Sequence, residues 1–396
     1  MKLIYKSYKF KLNPNEEQQI LLGKHFGCTR FVFNHFLNQR KVQYLNTKKS
    51  DNYFKQSASL TNLKKQEDTI WLKEINSQTL QYSLRCLDAA YTNFFKGNAQ
   101  FPKFKSRRKK NTFTVPQSVR VINNELHIPK FKDGIKIKLH RELRGNIKHC
   151  TISKTPTGKY FVSILCEIEH IPLEKTGAIV GIDLGLKDFA ITSDNIKYKN
   201  HRYTKKYARK LKRSQQHLSR KIKGSTQSEK QRLKVALLHE KISNIRKDDL
   251  HKISHQLISD YDIISLEDLN IKGMIKNHKL SKHIQDASWG TFVEYLTYKA
   301  AWNDKQIVKI NRWYPSSKTC NKCGYINQNL TLKIREWKCP NCNTKLDRDY
   351  NAAINILNEG LKIITSAGTV DYTDGDTNKT SELLKHKSMK SEAQRL

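Results

Sequence analysis

Four cysteines fall into two pairs of equal spacing, Cys320-Asn-Lys-Cys323 and Cys339-Pro-Asn-Cys342, with fifteen residues between the pairs. Two such steps at this distance suit four thiolates around one tetrahedral Zn2+, a closed set that leaves no position open for catalysis. The expectation is one structural zinc in a ribbon between two knuckles, with a redox pair or free thiols as the competing use of the same residues. A second group is acidic. Asp183 interrupts the apolar run Ile179, Val180, Ile182, Leu184, where a carboxylate is costly to bury without a cation or donors. Glu267 closes a further apolar run, IISLE, and Asp349 follows the second cysteine pair in LDRDYNAAINIL. Three acids at strand ends and a helix start are able to converge on two Mg2+ ions, which activate water and stabilise the leaving oxygen of a phosphodiester. Each acid has a plainer use: Asp183 as a turn cap before Gly185, Glu267 as a solvent-facing strand end, Asp349 as a helix cap. Gly181 and Gly185 flank Asp183 and are expected to let a phosphate approach.

Composition favours the chemical use. The 396 residues carry 74 Lys+Arg against 36 Asp+Glu, a net charge of +38, which repels itself unless a polyanion is present. The basic residues come in runs: 103–110, with Lys103, Lys105, Arg107 and Arg108; 205–213, with Lys205, Lys206 and Arg209; and 220–223. One run alone is usually a solvated face. Together, with Phe101, Phe104, Phe113, Tyr203 and Tyr207 nearby as stackers, they predict a nucleic-acid partner without separating RNA from DNA. Ser77, Gln78 and Gln81 have side chains able to pair with base edges, although exposed helix polars look the same. Trp289, Trp302 and Trp313 read as core or ribbon packing, and Cys28, Cys86, Cys150 and Cys166 as small core residues of a protein in a reducing compartment. No apolar stretch reaches the roughly 18 residues of a membrane span, and the N-terminus lacks a signal-peptide core.

The elements that must carry these residues change character along the chain. Leu3, Tyr5, Tyr8, Phe10 and Leu12 alternate as an opening strand, which stops where Asn13 is placed to cap a helix with Pro14 at its first position. Helical spacing follows over 20–37 and 72–95, then period-two runs from Val119 to Ile164 with turns at Asn123-Asn124 and Thr157-Gly158. One strand before the helices and several after them predict a small antiparallel β-barrel with a helical insertion. From Gly177 strands and helices mix, which predicts an α/β sheet: strands at 178–186, 189–192, 263–266 and 307–310, basic helices at about 204–222 and 229–258, a helix near 289–300 and a last one at 348–357. Past Ser366 the chain is polar and aperiodic, which predicts disorder.

The ordered set GIDLG, SLEDL, CNKCG, CPNC and DRDYNAAINIL, with FGCTRFVFNHFL, LQYSLRCLDAAYTNFFKG and FPKFKSRRKKNTFT before it, resembles the transposon-encoded TnpB family, RNA-guided nucleases related to type V CRISPR effectors. The resemblance runs from about residue 5 to about residue 360. It implies an α/β plus β architecture: a RuvC-like RNase H fold at 173–316 and 346–365 with a zinc ribbon inserted at 317–345, preceded by a wedge-type β-barrel at 1–12 and 98–172 that carries a helical recognition insertion at 13–97; residues 366–396 form the tail. It further implies a noncoding guide RNA and double-stranded target DNA as partners, and cutting of both strands after recognition of a flanking motif. By position the catalytic acids are Asp183, Glu267 and Asp349, with Asp347 in support. A cytoplasmic, nucleoid-associated bacterial or archaeal protein is implied. Two other classes stand against the nuclease: a cleavage-inactive DNA-occupying regulator, and an accessory DNA-binding factor of a separate transposase.

Overall fold

The computed structural model describes residues 1–107, 111–331 and 333–366. Arg108 and the expected tail beyond Ser366 lie outside the described residues. The chain divides into two compact units, Met1–His170 and a second from Ile171 onward. No described helix is long and apolar enough to cross a membrane.

The first unit is an antiparallel sheet with helices inserted after its first strand. Strand β1 (Lys2–Asn13) buries Ile4, Tyr8, Phe10 and Leu12, and leaves Leu3 and Tyr5 facing out. The inward set therefore holds even parity throughout, and the expected Leu3 and Tyr5 are corrected to the outer face. Asn13 stays in the strand, opposite Lys136, so the cap of helix α1 (Glu16–Thr47) falls to Asn15, which forms a reciprocal capping box with Gln18. Helices α2 (Tyr53–Leu63) and α3 (Ser77–Phe95), joined by a 3-10 turn over Glu67–Glu74, pack on α1 through Val32, Phe36, Leu60, Leu80, Leu84 and Leu87.

The sheet is completed by β2 (Asn111–Val115), β3 (Arg120–Ile122), β4 (Glu125–His127), β5 (Ile135–Lys138), β6 (Asn146–Lys154) and β7 (Tyr160–His170), in the order β2-β6-β7-β1-β5-β4-β3. It is a half-barrel with β2 and β3 as its edge strands. Asn123 and Asn124 both take positive φ, 50° and 59°, as a two-residue hairpin turn between β3 and β4 requires.

The second unit is a five-stranded mixed sheet: β8 (Ile179–Leu184), β9 (Asp188–Thr192), β10 (Lys197–Lys199), β11 (Ile263–Glu267) and β12 (Gln306–Ile310), in the order β10-β9-β8-β11-β12. The first three strands meander antiparallel, and β11 and β12 then add parallel to β8. Helices α4 (Tyr203–Ser219) and α5 (Thr226–Asp260) connect β10 to β11; α6 (Ile271–Met274), α7 (His278–Ala287) and α8 (Trp289–Trp302) connect β11 to β12. Two three-residue strands, β13 (Glu336–Lys338) and β14 (Lys345–Asp347), lead into α9 (Arg348–Ser366), which runs further than the expected end at 357.

Alternation sorts β8 and β11 onto two faces. Val180, Ile182, Ile264 and Leu266 join Leu257 of α5 and Phe292 and Leu296 of α8 in the main core. Ile179 and Ile263 pack instead with Ile364 of α9. The helix lies almost on the strand backbones: a Cβ on Gly181 would sit 2.2 Å from the Ala353 carbonyl oxygen, and one on Gly360 would sit 2.0 Å from Ser265 Oγ. Gly181 thus admits α9, which corrects the expectation that it admits a phosphate; Gly185 lies in the β8–β9 turn against the Asp188 carbonyl. Because backbone blocks the Gly181 position, Gly181→Ala should destabilise this unit by about 3 kcal/mol or more, at the top of the overpacking range. Thermal unfolding within a few degrees of the parent would refute the close packing.

Candidate active site and metal centre

The two-faced sheet decides where the acids go. Ile182 of β8 pairs with Leu266 of β11, so Asp183 and Glu267 lie one residue past the last shared rung, with the parity of the α9 face. Asp349 stands in the first turn of α9, one turn before the Ala353 carbonyl that meets Gly181. Strand register and helix seating thus bring together acids 84 and 82 residues apart in sequence. Both neighbours act on Asp183: burial first, then the charges of Glu267 and Asp349, push its carboxyl up to about 8, against the opposing pull of Arg348 and Arg335. No described residue donates a hydrogen bond to that carboxylate.

The other two acids are held. Ser316 Oγ donates to Glu267 Oε1 at 2.5 Å, and burial raises the Glu267 carboxyl despite that bond. Arg335 donates to one oxygen of Asp349 at 2.6 Å, and Arg348 Nη2 to the other at 2.8 Å. Asp347 is the cap of α9, accepting from the backbone N–H of Asp349 and Tyr350 at 3.0 Å each, and it pairs with Lys197 at 3.4 Å. Sequence reasoning missed Ser316, Arg335 and Arg348. It missed Asn351 and Asn355 as well: their side chains donate to the Thr319 carbonyl at 2.7 and 2.6 Å, rooting the cysteine segment on α9. Their i, i+4 spacing inside an apolar helix pattern was the available signal.

As a donor set, three carboxylates of which one is raised and without a donor suit hard divalent cations, whose charge would relieve the strain on Asp183. They do not close as tightly as the thiols: among the described residues, only the cysteine cluster brings ligand atoms all within 4.8 Å of one another. Its Cys320–Cys342 and Cys323–Cys339 sulfur pairs are 3.7 and 3.6 Å apart, close to the roughly 3.8 Å edge of a tetrahedron with metal–sulfur bonds of about 2.3 Å. The two knuckles are built alike. Cys320 N–H donates to the Tyr325 carbonyl and Gly324 N–H to that of Cys320; Cys339 N–H donates to Thr344 and Asn343 N–H to Cys339. The fourth residue after each leading cysteine takes positive φ, Gly324 at 76° and Asn343 at 60°, conformations that glycine and asparagine tolerate best. The Thr344 hydroxyl and N–H draw the Cys342 thiol down to about 6, as a metal-binding thiolate requires, while burial pushes Cys320 up to about 11.

The expected nucleic-acid contacts are spread over both units. Ser77 begins α3, with Gln78 and Gln81 half-buried beside it, and Ser77 Oγ accepts from Lys64 at 3.1 Å. Lys103, Lys105 and Arg107 are exposed, but Lys105 is pinned to α1: its backbone exchanges two hydrogen bonds with Asn34, and its ammonium lies 3.9 Å from the Phe33 ring centroid. Lys205, Lys206 and Arg209 are exposed on α4, where no described acid pairs with them. That helix has no cap of its own, since Arg202 precedes it in the left-handed region. Asp286 of α7 supplies one, accepting from Thr204 N–H at 3.0 Å and Thr204 Oγ1 at 2.6 Å while paired with Arg246 of α5 at 2.6 Å. Removing a buried partner strands the other charge, so Asp286→Ala should cost about 3 kcal/mol and speed amide hydrogen exchange over 205–208. Unchanged exchange there would contradict the cap.

The chain is 36% identical over 365 residues to the "Putative RNA-guided DNA endonuclease" of Streptomyces pristinaespiralis, covering 91% of this chain and 90% of that one. It is 32% identical to "Putative RNA-guided DNA endonuclease InsQ" of Escherichia coli K12, over 90% and 93% of the two chains. The chain belongs to the TnpB family. A family model described as "Cas12f1-like, TNB domain" matches residues 289–356, from α8 through the cysteine cluster to Asp349; one described as "Probable transposase" matches 163–278, which include Asp183 and Glu267. A helix-turn-helix model matches 1–49, although in this TnpB protein those residues form β1 and the single helix α1. Among solved structures, the fold is like that of Cas12f1 in a complex with sgRNA and target DNA, with TM-score 0.53 at 13% identity, over 89% of this chain and 98% of that one.

Proposed function

We propose that this protein is an RNA-guided DNA endonuclease of a mobile element, and that Asp183, Glu267 and Asp349 are its cleavage site. The observation that carries the site is the convergence of these acids on the α9 face of the sheet, within a chain of this family. Three antiparallel strands followed by two parallel ones support a RuvC-type RNase H fold at 173–316 and 346–365, with the ribbon at 317–345. The half-barrel supports a wedge-type domain at 1–12 and 98–172 carrying the recognition helices of 13–97. The relatives' names support a guide RNA and target DNA as partners, and the unpaired cations of α4 are suited to a phosphate backbone.

Asp183, Glu267 and Asp349 would hold two Mg2+, which when bound supply water activation and stabilisation of the leaving oxygen. The chain's own groups do the rest. Ser316 fixes the Glu267 carboxylate. Arg335 and Arg348 orient Asp349, and their charge draws a phosphate into a site that the carboxylates alone would repel. Cys320, Cys323, Cys339 and Cys342 would hold one structural Zn2+, and so keep Arg335 in reach of Asp349. Glu267→Gln and Asp349→Asn should each lose cutting of guide-matched DNA in Mg2+ while target binding stays within about twofold, since these groups do not attract phosphate. Parental cutting rates in both variants would overturn the site.

A further inference from the structure

Trp313 was expected to pack in the core or ribbon, as Trp289 does at 3% exposure, but it is 84% exposed. It does not hang on a loose loop. Glu267 pairs in register with Ile310, the last residue of β12, so the chain leaves the sheet beside that acid. Asn311 Oδ1 then accepts from Trp313 N–H at 2.9 Å, and the Asn311 carbonyl accepts from Tyr314 N–H at 3.1 Å. Arg312 is tied to Asp268, the residue after Glu267. Ser316 is fixed twice, by its own bond to Glu267 and by Asn355 Nδ2 on its carbonyl at 2.8 Å. One ordered loop therefore orients Glu267 and holds an indole in water. Three residues span at most about 10 Å of chain, which keeps Trp313 within that reach of Ser316.

The surroundings select what covers the indole. Asn311 and Arg312 before it are polar and exposed, and Tyr314 and Pro315 after it are half-buried, so within this loop the indole is the one large apolar side chain that stands in water, a single plate where a protein partner needs a contiguous apolar patch. The chain's surplus of cations suits a polyanion. A flat π-face beside a phosphodiester site matches an unpaired base, because duplex bases already stack on each other. Resting on the endonuclease reading above, we propose that Trp313 is the stacking platform for an unpaired base of the DNA strand in the carboxylate site, and that it sets which phosphate is cut. It is a positioning residue: the indole holds the strand, and the acids carry the chemistry.

The test is single-turnover cutting by the RNA-loaded full-length protein, with target strands that are intact or carry one abasic position, scanned across the cut. Trp313→Ala should cut about tenfold slower, the loss of one base–aromatic stack, and spread its cuts over neighbouring phosphates. Trp313→Phe should stay close to the parent. At one position the abasic strand should slow the parent by the same factor and slow Trp313→Ala no further, a coupling that a purely structural role would not produce. Zinc content and target binding should match the parent in both variants. Parental rate and cut position in Trp313→Ala, or additive losses at every abasic position, would overturn the inference alone. A parent that binds guide and target but never cuts would overturn the endonuclease reading and this inference with it.

Discussion

Asp183→Asn is expected to abolish cutting and, at the same time, to make the metal-free protein more stable. The folded carboxyl keeps its proton up to about 8, whereas an unfolded aspartate gives its proton up near ~3.9. Folding therefore takes up a proton anywhere between those values, and the stability of the metal-free parent falls as pH rises through that window. Asparagine has no such ionisation. The variant should match the parent near pH 4, pull ahead as pH rises, and lead by about 2 kcal/mol at pH 8, well below the full shift because solvent and neighbouring arginines relax around the charge. Mg2+ should reverse the order, stabilising the parent and leaving the variant unmoved. Cutting should fall by on the order of 10³-fold or more, since a metal-holding carboxylate supports several kcal/mol of transition-state stabilisation. Denaturation in EDTA at a series of pH values checks the first part. A parent–variant gap that does not change with pH would contradict the burial of Asp183 among like charges.

The second large effect follows from the cysteine cluster. The ribbon has two three-residue strands and a small core of Leu330, Trp337, Leu346 and the buried cysteines Cys320 and Cys339, far too little apolar area to fold alone. Structural zinc contributes on the order of 10 kcal/mol to such elements. Cys320→Ser with Cys339→Ser should take zinc content from one per chain to none and unfold the ribbon. The five-stranded sheet has its own core and should keep its cooperative melting. Arg335 would then no longer be delivered to Asp349, and cutting should drop by about 100-fold, as for loss of a preorganised charged donor. Elemental analysis, thermal unfolding and a cleavage assay read the three effects. Retained zinc in the double variant would refute the metal centre, and undiminished cutting by a zinc-free protein would refute the link through Arg335.

How much of this was legible in the sequence depended on range. Asp183 and Glu267 stood out because a carboxylate within or closing an apolar strand is a local conflict that any reader of the chain meets. The cysteine spacing was legible for the same reason, since each knuckle closes within six residues. Arg335, Ser316, Asn351 and Asn355 were not, because each gains its partner across a fold boundary: a serine 49 residues from Glu267 has no local signature. Gly181 was legible as a residue needing close approach, but not what approaches it, since α9 arrives from more than 170 residues away. Asn13 and Asn15 are both good caps by type; strand pairing of Asn13 with Lys136 decided between them. Trp313 was misread because base-rate packing of tryptophan says nothing about a loop fixed by its neighbours.

The most direct test is to purify the protein from cells expressing its native locus, sequence the RNA that accompanies it, and incubate the complex with Mg2+ and plasmids carrying the matching target beside randomised flanks. The predicted result is a discrete bound RNA and linear plasmid enriched for one flanking motif, with Asp183→Asn carrying the same RNA and leaving the plasmid supercoiled. Bound RNA with uncut plasmid in the parent, or cutting by Asp183→Asn at the parental rate, would contradict it.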